Sequence, residues 1–399
     1  MKILIIEDDQ LVANIYRNKF ALEGFQAETA PDGDVGLELV RSFRPDVVLL
    51  DLVLPRVTGL EVMRRLRAEK EFEGLPVIVF SNTYLSNMVQ EAWKAGATKC
   101  LSKASCTPKQ VIEAVRSTLK SNGAPGTAQQ KENESKGESS SPAHAVGSKV
   151  DADAAFQAEL RRDFIRDLPG SVGSLRALLQ GLVKADNEAV RLKQIQELYR
   201  RAHSLSSNAG IAGVVQIAQM GDALEALLKE LHEKPKNVNA STLRTVAAAV
   251  DFLGILSDRT GKPEKSFPPA EVLVVDDEAI SRRAITYALE KAKLKSTTIE
   301  DPVEALKLLS VKKFDLVFLD VDMPNMSGFE LCSKLRSQPD YAKTPVVFVT
   351  GLNDLESRAS STMSGGNDFI AKPFLFIELT VKALVHILRS RLEPFGKAA

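Results

Sequence analysis

The chain has 399 residues, of which 44% are hydrophobic and 26% charged, and its 52 basic residues balance 52 acidic ones. This length suits about three domains of ordinary size, and the balanced charge excludes the global basic field that attracts nucleic acid. No apolar run reaches the roughly 18 residues that a membrane span needs, and the three cysteines lack metal-like spacing. We therefore expect a cytoplasmic protein that binds neither membrane nor nucleic acid.

Residues 1–121 alternate strand-like and helix-like segments. The predicted strands lie at 3–7, 26–29, 46–51, 76–80 and 99–102, and the predicted helices at 10–23, 33–43, 58–69, 85–95 and 107–120. Five such βα units predict a doubly wound parallel sheet with helices on both faces. Residues 270–393 repeat the pattern, so we expect two α/β domains of the same fold.

The region between these domains differs in composition. Residues 122–150 are rich in Ser, Gly, Ala, Glu and Lys, which predicts a flexible linker, and residues 261–269 form a second, shorter linker. Residues 151–260 contain amphipathic stretches at 153–168, 171–184, 187–207, 211–232 and 240–258, with a break at Pro169. Short connections between these stretches predict an antiparallel helical bundle.

One set of polar residues occurs twice, and each member closes or follows an apolar run. Every member of the second copy lies 269 positions after its counterpart, as Asp320 does after Asp51. The first copy consists of Glu7, Asp8, Asp51, Ser81 and Lys103, and the second of Asp276, Asp277, Asp320, Thr350 and Lys372. Because ligands of open α/β sheets bind at the carboxyl ends of the strands, each set is expected to converge there.

Acids, a hydroxyl and a lysine at one place suit phosphoryl chemistry. A carboxylate attacks phosphorus only when charge repulsion is screened, so we expect Mg²⁺ held by carboxylate oxygens. The predicted metal ligands are Glu7, Asp8, Asp51, Asp276, Asp277 and Asp320. The lysine would neutralise one phosphoryl oxygen and the hydroxyl would donate to another. A structural ion pair is the alternative for a single copy, and the duplication argues against it.

The strings ILIIEDD, VVLLDLVLPRVTGLE, VIVFSNT and KCLSKAS, with VLVVDDE, LVFLDVDMPNMSGFE, VVFVTG and DFIAKPF in the second copy, resemble receiver domains of two-component response regulators. The resemblance implies a flavodoxin-like fold in both copies. It also implies that Asp51 and Asp320 accept phosphoryl groups, with Ser81, Thr350, Lys103 and Lys372 assisting.

The two copies differ at positions that the resemblance makes informative. The second copy has Pro373 after its lysine, which implies a cis peptide, and the aromatic Phe369 three residues before it. The first copy has Ala104 and Cys100 there, which puts its conformational switching in doubt. Two residues past the aspartate stand Val53 and Asp322, so phospho-Asp51 is expected to outlive phospho-Asp320.

The segment AHSLSSNAGIAGVVQIAQMGDALEALLKEL resembles a histidine phosphotransfer (Hpt) domain, which implies that His203 accepts a phosphoryl group. Helical periodicity places His203 on the flank of a stripe formed by Leu192, Ile195, Leu198, Ala202 and Leu205, where water reaches it. Ser206 and Ser207 stand where the family pattern has Lys and Gly.

The sequence thus predicts a non-enzymatic phosphorelay protein, receiver–Hpt–receiver, capable at most of catalysing its own aspartyl phosphorylation and dephosphorylation. No segment remains for a DNA-binding, cyclase or kinase module. Predicted partners are a sensor histidine kinase or other relay proteins, with receiver–Hpt contacts inside the chain. The apolar C-terminal helix suits contact with another domain or a second chain, as in a homodimer.

Two alternatives remain at this point. The first is an interaction scaffold whose output does not depend on phosphorylation, favoured by Ala104, Cys100 and Ser206. The second is a haloacid-dehalogenase-like phosphohydrolase, whose Asp-x-Asp signature Asp320 and Asp322 imitate. That family places its nucleophile on the first strand of the domain, whereas here an acid-bearing strand precedes each aspartate.

Overall fold

The computed structural model describes residues 1–82, 88–103, 106–121, 147–260, 268–351 and 364–392. Within them the chain divides into two compact units. The first contains residues 1–168 and 204–218, and the second contains residues 169–203 and 219–399. The division therefore passes through three helices of the central region.

The N-terminal domain is a five-stranded parallel sheet in the order β2-β1-β3-β4-β5. Its strands are β1 (Lys2–Ile6), β2 (Gln26–Ala30), β3 (Val47–Leu50), β4 (Val77–Phe80) and β5 (Lys99–Leu101). Its helices are α1 (Gln10–Leu22), α2 (Gly33–Phe43), α3 (Gly59–Ala68), α4 (Met88–Lys94) and α5 (Pro108–Ser121). Strands β3 and β4 are buried at every position, as unbroken apolar runs require when helices cover both faces.

The C-terminal domain repeats this sheet, with strand order β7-β6-β8-β9-β10. Its strands are β6 (Glu271–Val275), β7 (Lys295–Ile299), β8 (Leu316–Asp320), β9 (Val346–Thr350) and β10 (Asp368–Ala371). The described helices are α10 (Ala279–Lys291), α11 (Pro302–Leu309), α12 (Gly328–Arg336) and α13 (Phe376–Leu392). The prediction of two doubly wound, flavodoxin-like domains is confirmed.

Four long helices make up the described part of the central region. They are α6 (Gly147–Val183), α7 (Glu188–Ile211), α8 (Val215–Glu233) and α9 (Ala240–Ser257). Asn239 begins α9 with a capping box, in which its side chain accepts from the Thr242 amide and the Thr242 hydroxyl accepts from the Asn239 amide. The predicted all-helical middle region is confirmed.

Two details of the central prediction are wrong. The break expected at Pro169 is absent, because α6 continues through this residue. A helix survives an internal proline at the cost of one backbone hydrogen bond and a steric adjustment, and neighbouring packing can offset that cost. Helix α6 also begins at Gly147, inside the predicted linker of residues 122–150, whose remainder at 122–146 lies outside the described residues. Residues 261–267, which form most of the second predicted linker, also lie outside the described residues.

Helix α9 is the one helix in the described ranges that is long and apolar enough to cross a membrane, with a mean hydropathy of 1.3. Half of it is buried inside the fold. It packs against α13, where Glu378 accepts hydrogen bonds from Ser241 and Thr245. The core helix of a folded bundle has this composition too, so α9 is weak support for a membrane span.

Candidate functional site

Parallel pairing brings the first set of predicted site residues to one edge of the N-terminal sheet. Ile6 of β1 pairs with Leu50 of β3, so Glu7 and Asp51 follow neighbouring strand ends. Phe80 of β4 pairs with Leu101 of β5, which places Ser81 and Lys103 beside them. Glu7, Asp51, Ser81 and Lys103 are each at most 3% exposed, whereas Asp8 is exposed.

Lys103 is the electrostatic centre of this first site. Its Nζ lies 2.7 Å from Glu7 Oε2 and 2.5 Å from Asp51 Oδ2. Burial alone would lower the pKa of Lys103, but the charges of Asp51 and Glu7 and their hydrogen bonds outweigh it, so the pKa is raised. The lysine is therefore charged across the physiological range and holds Asp51 at the strand end.

The acids of the first site divide into two groups. Asp8 and Asp51 offer carboxylate oxygens within 4.8 Å of each other, a separation that one divalent ion can bridge. Glu7 instead directs both oxygens at Lys103, at 2.8 and 2.7 Å. Of the three ligands predicted for this copy, the structure thus brings Asp8 and Asp51 together and places Glu7 against the lysine.

The second set converges at the same edge of the C-terminal sheet. Oxygens of Asp276, Asp277 and Asp320 lie within 4.8 Å of one another. Lys372 Nζ lies 2.9 Å from Asp276 Oδ2 and 3.0 Å from Asp320 Oδ2. Thr350, the last residue of β9, is buried. Three hard oxygen donors grouped in this way match the ligand chemistry of Mg²⁺, so the residues fit the predicted ion.

Burial and neighbouring charges shift the pKa values of both Asp320 and Lys372 in this second site. Desolvation raises the pKa of Asp320, and the Asp276 charge adds to that effect, while the hydrogen bond from Lys372 opposes it. Desolvation acts to lower the pKa of Lys372, but its bonds to Asp276 and Asp320 prevail and the pKa is raised. Ser281, which sequence reasoning missed, donates to Asp276 Oδ2 at 2.5 Å.

The structure describes part of the region in and after β5 and β10 in which the sequences of the two copies differ. The Lys372–Pro373 peptide is cis, as the resemblance implies. Phe369 and Cys100 occupy equivalent partly buried positions, each packed against the core of its own domain. Ala104 lies outside the described residues, so the geometry after Lys103 stays a prediction.

The prediction that water reaches His203 is wrong, because this side chain is 4% exposed. Glu225 of α8, itself 2% exposed, places Oε1 3.1 Å from His203 Nδ1. A carboxylate at Nδ1 favours the tautomer with its proton on that nitrogen and leaves the lone pair on Nε2. Helical periodicity could not reveal this burial, since it comes from contacts outside α7.

Glu225 is a residue that sequence reasoning missed. It lies between the buried Leu224 and the apolar pair Leu227 and Leu228, in the string ALEALL. A lone acid flanked by core positions of a helix is a signal, because buried carboxylates are rare unless they have a partner. The sequence offered no means of identifying His203 as that partner.

Comparison with known proteins agrees with this architecture. The response regulator receiver domain family matches residues 3–116 and 272–384, and the Hpt domain family matches residues 159–252. Protein RcaC of Microchaete diplosiphon is 34% identical over 31% of this chain and 19% of its own length. Response regulator MprA of Mycobacterium sp. (strain KMS) is 33% identical over 29% of this chain and 49% of its own. The chain thus spans about half or less of these curated relatives.

A solved structure of the chemotaxis response regulator CheY4 of Vibrio cholerae is 32% identical, with a TM-score of 0.29, over 30% of this chain and 99% of that one. The fold and the family matches define a multidomain signalling protein built from receiver and Hpt modules. The chain belongs to the response regulator receiver domain family, with an Hpt domain between its two receiver copies. Neither alternative, scaffold or phosphohydrolase, is favoured by these matches.

Proposed function

We propose that this chain is a phosphorelay response regulator, in which phosphoryl groups move between Asp51, Asp320 and His203. The observation that carries the proposal is the order of domains, receiver, Hpt, receiver, together with an acid–lysine site at the strand ends of each receiver. A sensor histidine kinase or another relay protein supplies or receives the phosphoryl group. The proposed location is the cytoplasm.

The aspartates act as nucleophiles and the lysines as charge partners. An Asp320 carboxylate oxygen forms a bond to phosphorus while the bond from phosphorus to the donor breaks. Lys372 then faces one phosphoryl oxygen and the Thr350 hydroxyl donates to another. Lys103 and Ser81 do the same for Asp51. A magnesium ion held by Asp276, Asp277 and Asp320, or by Asp8 and Asp51, would screen the negative charge of the incoming phosphoryl group.

Transfer to the histidine uses the nitrogen opposite Glu225. His203 Nε2 attacks phosphorus, a nitrogen–phosphorus bond forms, and the carboxylate of the aspartate leaves. The imidazole keeps its Nδ1 proton and gains positive character, which the Glu225 carboxylate 3.1 Å away stabilises. We propose that the protein does no further chemistry beyond accepting, passing on and hydrolysing these phosphoryl groups.

Labelled acetyl phosphate and Mg²⁺, added to the full chain, test the proposal. Phosphohistidine survives alkali while acyl phosphates do not, so the two products are separable. Asp51→Asn leaves Asp320 as the receiver source of phosphohistidine, Asp320→Asn leaves Asp51, and the doubly substituted chain should form none. His203→Gln should abolish phosphohistidine in every background. Alkali-stable label in the His203→Gln chain, or none in the wild type, would contradict the proposal.

A further inference from the structure

The first compact unit contains residues 204–218 together with the N-terminal receiver. Asn82, which follows the predicted site hydroxyl Ser81, donates from Nδ2 to Ser206 Oγ at 2.7 Å and to Ser207 Oγ at 2.9 Å. Asn82 is 2% exposed and both serines are fully buried. The two serines that depart from the Hpt pattern are therefore the residues that this asparagine contacts.

Asp9 makes a second polar link in the same unit. Its Oδ1 caps α1 by accepting from the backbone of Leu11 and Val12. Its Oδ2 accepts from Ser204 Oγ at 2.9 Å and from Asn208 Nδ2 at 3.4 Å. Oδ1 of Asp9 thus caps α1, whereas Oδ2 accepts its hydrogen bonds from residues of α7.

An apolar contact accompanies these hydrogen bonds. Ile211, at the end of α7, is 1% exposed and belongs to the core cluster of the N-terminal receiver, together with Val12 of α1 and Val111 of α5. Helix α6 supports the arrangement, since Gln157 Nε2 donates to the Ile211 carbonyl at 2.6 Å. Because the Ile211 side chain is removed from water in this cluster, the contact adds apolar burial to the polar links.

The C-terminal receiver carries different residues at the equivalent positions. Gly351 corresponds to Asn82 and Glu278 to Asp9, each 269 positions later. Gly351 has no side chain with which to donate. Glu278 makes no side-chain cap on α10, and its Oε2 lies 3.8 Å from Lys372 of its own site. The C-terminal receiver therefore cannot form the Asn82 contacts, and its acid is longer by one methylene than Asp9.

We propose that Asn82 and Asp9 are specificity-determining residues that make the N-terminal receiver the docking partner of α7, through Ser204, Ser206 and Ser207. The docking itself stands on the contacts above, whereas its role in phosphoryl transfer rests on the proposed function. Asn82 selects the serine pair because a lysine and a glycine would offer no two hydroxyl acceptors at these positions. The fast route to His203 then begins or ends at Asp51 rather than at Asp320.

Hydrogen exchange measures the docking without phosphoryl chemistry. In the full chain, Asn82→Ala removes the two buried hydrogen bonds that this side chain donates to Ser206 and Ser207. We expect the backbone amides of residues 204–211 to exchange about tenfold faster. Asn18→Ala is the matched control, because Asn18 is an exposed asparagine of the same receiver, on α1, and should leave these amides unchanged. Unchanged exchange in Asn82→Ala would overturn the proposal.

A double-mutant cycle identifies the partners of Asn82. The Ser206→Ala, Ser207→Ala chain should exchange faster as the Asn82→Ala chain does, and combining the substitutions should add little, because all remove the same bonds. Fully additive effects would show that Asn82 and the serines act independently, against the proposal.

Transfer rates provide the second readout. With Asp320→Asn as background, phosphohistidine formation, normalised to phospho-Asp51, should slow about tenfold in Asn82→Ala and stay unchanged in Asn18→Ala. If the amides exchange faster in Asn82→Ala but the wild type forms no phosphohistidine, the docking is supported and the relay is contradicted. Equal exchange and equal transfer in the two variants would support the relay and contradict the specificity role.

Discussion

The guanidinium carbon of Arg244, on α9 of the Hpt domain, lies 5.5 Å from the ring centre of Phe369, on β10 of the C-terminal receiver. Next to this contact, Glu378 of α13 accepts hydrogen bonds from Ser241 at 2.6 Å and from Thr245 at 3.1 Å. Glu378 is 3% exposed, so the hydrogen bonds from these two hydroxyl groups replace contacts with water that its side chain loses on burial. The face of the receiver that carries Phe369 is therefore bound to the Hpt domain within one compact unit.

Removal of both hydroxyl groups, in the variant Ser241→Ala with Thr245→Val, should destabilise this unit. A hydrogen bond to a charged group contributes about 1.5–3 kcal/mol, and a buried carboxylate left without donors also bears its desolvation cost. We expect a lower thermal midpoint in calorimetry. Ser333→Ala is the control, because that exposed hydroxyl bonds only within its own helix. Equal midpoints in the two variants would show that Glu378 does not need these donors.

Glu225 should accelerate phosphorylation of His203. Glu225→Gln keeps the shape but removes the charge that stabilises the phosphorylated imidazole, so we expect phosphohistidine to form about tenfold more slowly, equivalent to about 1.4 kcal/mol. The control is Glu230→Gln on the same helix, where the carboxylate faces Lys234 at the surface. If the two variants lose the same fraction of the rate, Glu225 has no special role at the histidine.

The two acyl phosphates should differ in lifetime. Val53 is apolar and partly buried, and its amide donates to Asp51 Oδ1, whereas the equivalent Asp322 is exposed and able to order water. With His203→Gln as background to prevent transfer, phospho-Asp51 should decay more slowly than phospho-Asp320. Asp322→Val should lengthen the second lifetime and Val53→Asp should shorten the first. Equal or reversed lifetimes in the unsubstituted sites would refute this assignment.

The raised pKa of Asp320 has a consequence for stability in metal-free protein. A carboxyl group whose pKa is higher in the folded state binds protons preferentially there, so stability falls as the pH rises through that folded pKa and the full cost is present above it. Asp320→Asn should therefore raise the thermal midpoint of the metal-free chain at neutral pH. This gain should shrink as the pH falls through the pKa of Asp320, and a constant gain would exclude titration as its cause.

The positions of the receiver sites could be predicted from the sequence because they follow from local pattern. Unbroken apolar runs define parallel buried strands, and residues after those runs must meet at one sheet edge, as Asp51 and Lys103 do. Contacts between segments that are far apart in the sequence produce no such local pattern. Asn82 and Ser206 are 124 positions apart, and neither side chain alone indicates the other. The burial of His203 and its neighbour Glu225 escaped prediction for the same reason.

The contacts of α7 with the N-terminal receiver occupy a surface for which external proteins would have to compete. An external protein that approaches through Asp9 and Asn82 must first displace Ser204 and the serine pair. The apparent dissociation constant of that external protein then equals its intrinsic value divided by the fraction of chains in which the α7 segment is not bound to the receiver. A kinase outside this chain would therefore find this receiver surface already occupied. Only a kinase with enough affinity to displace the α7 segment would bind there.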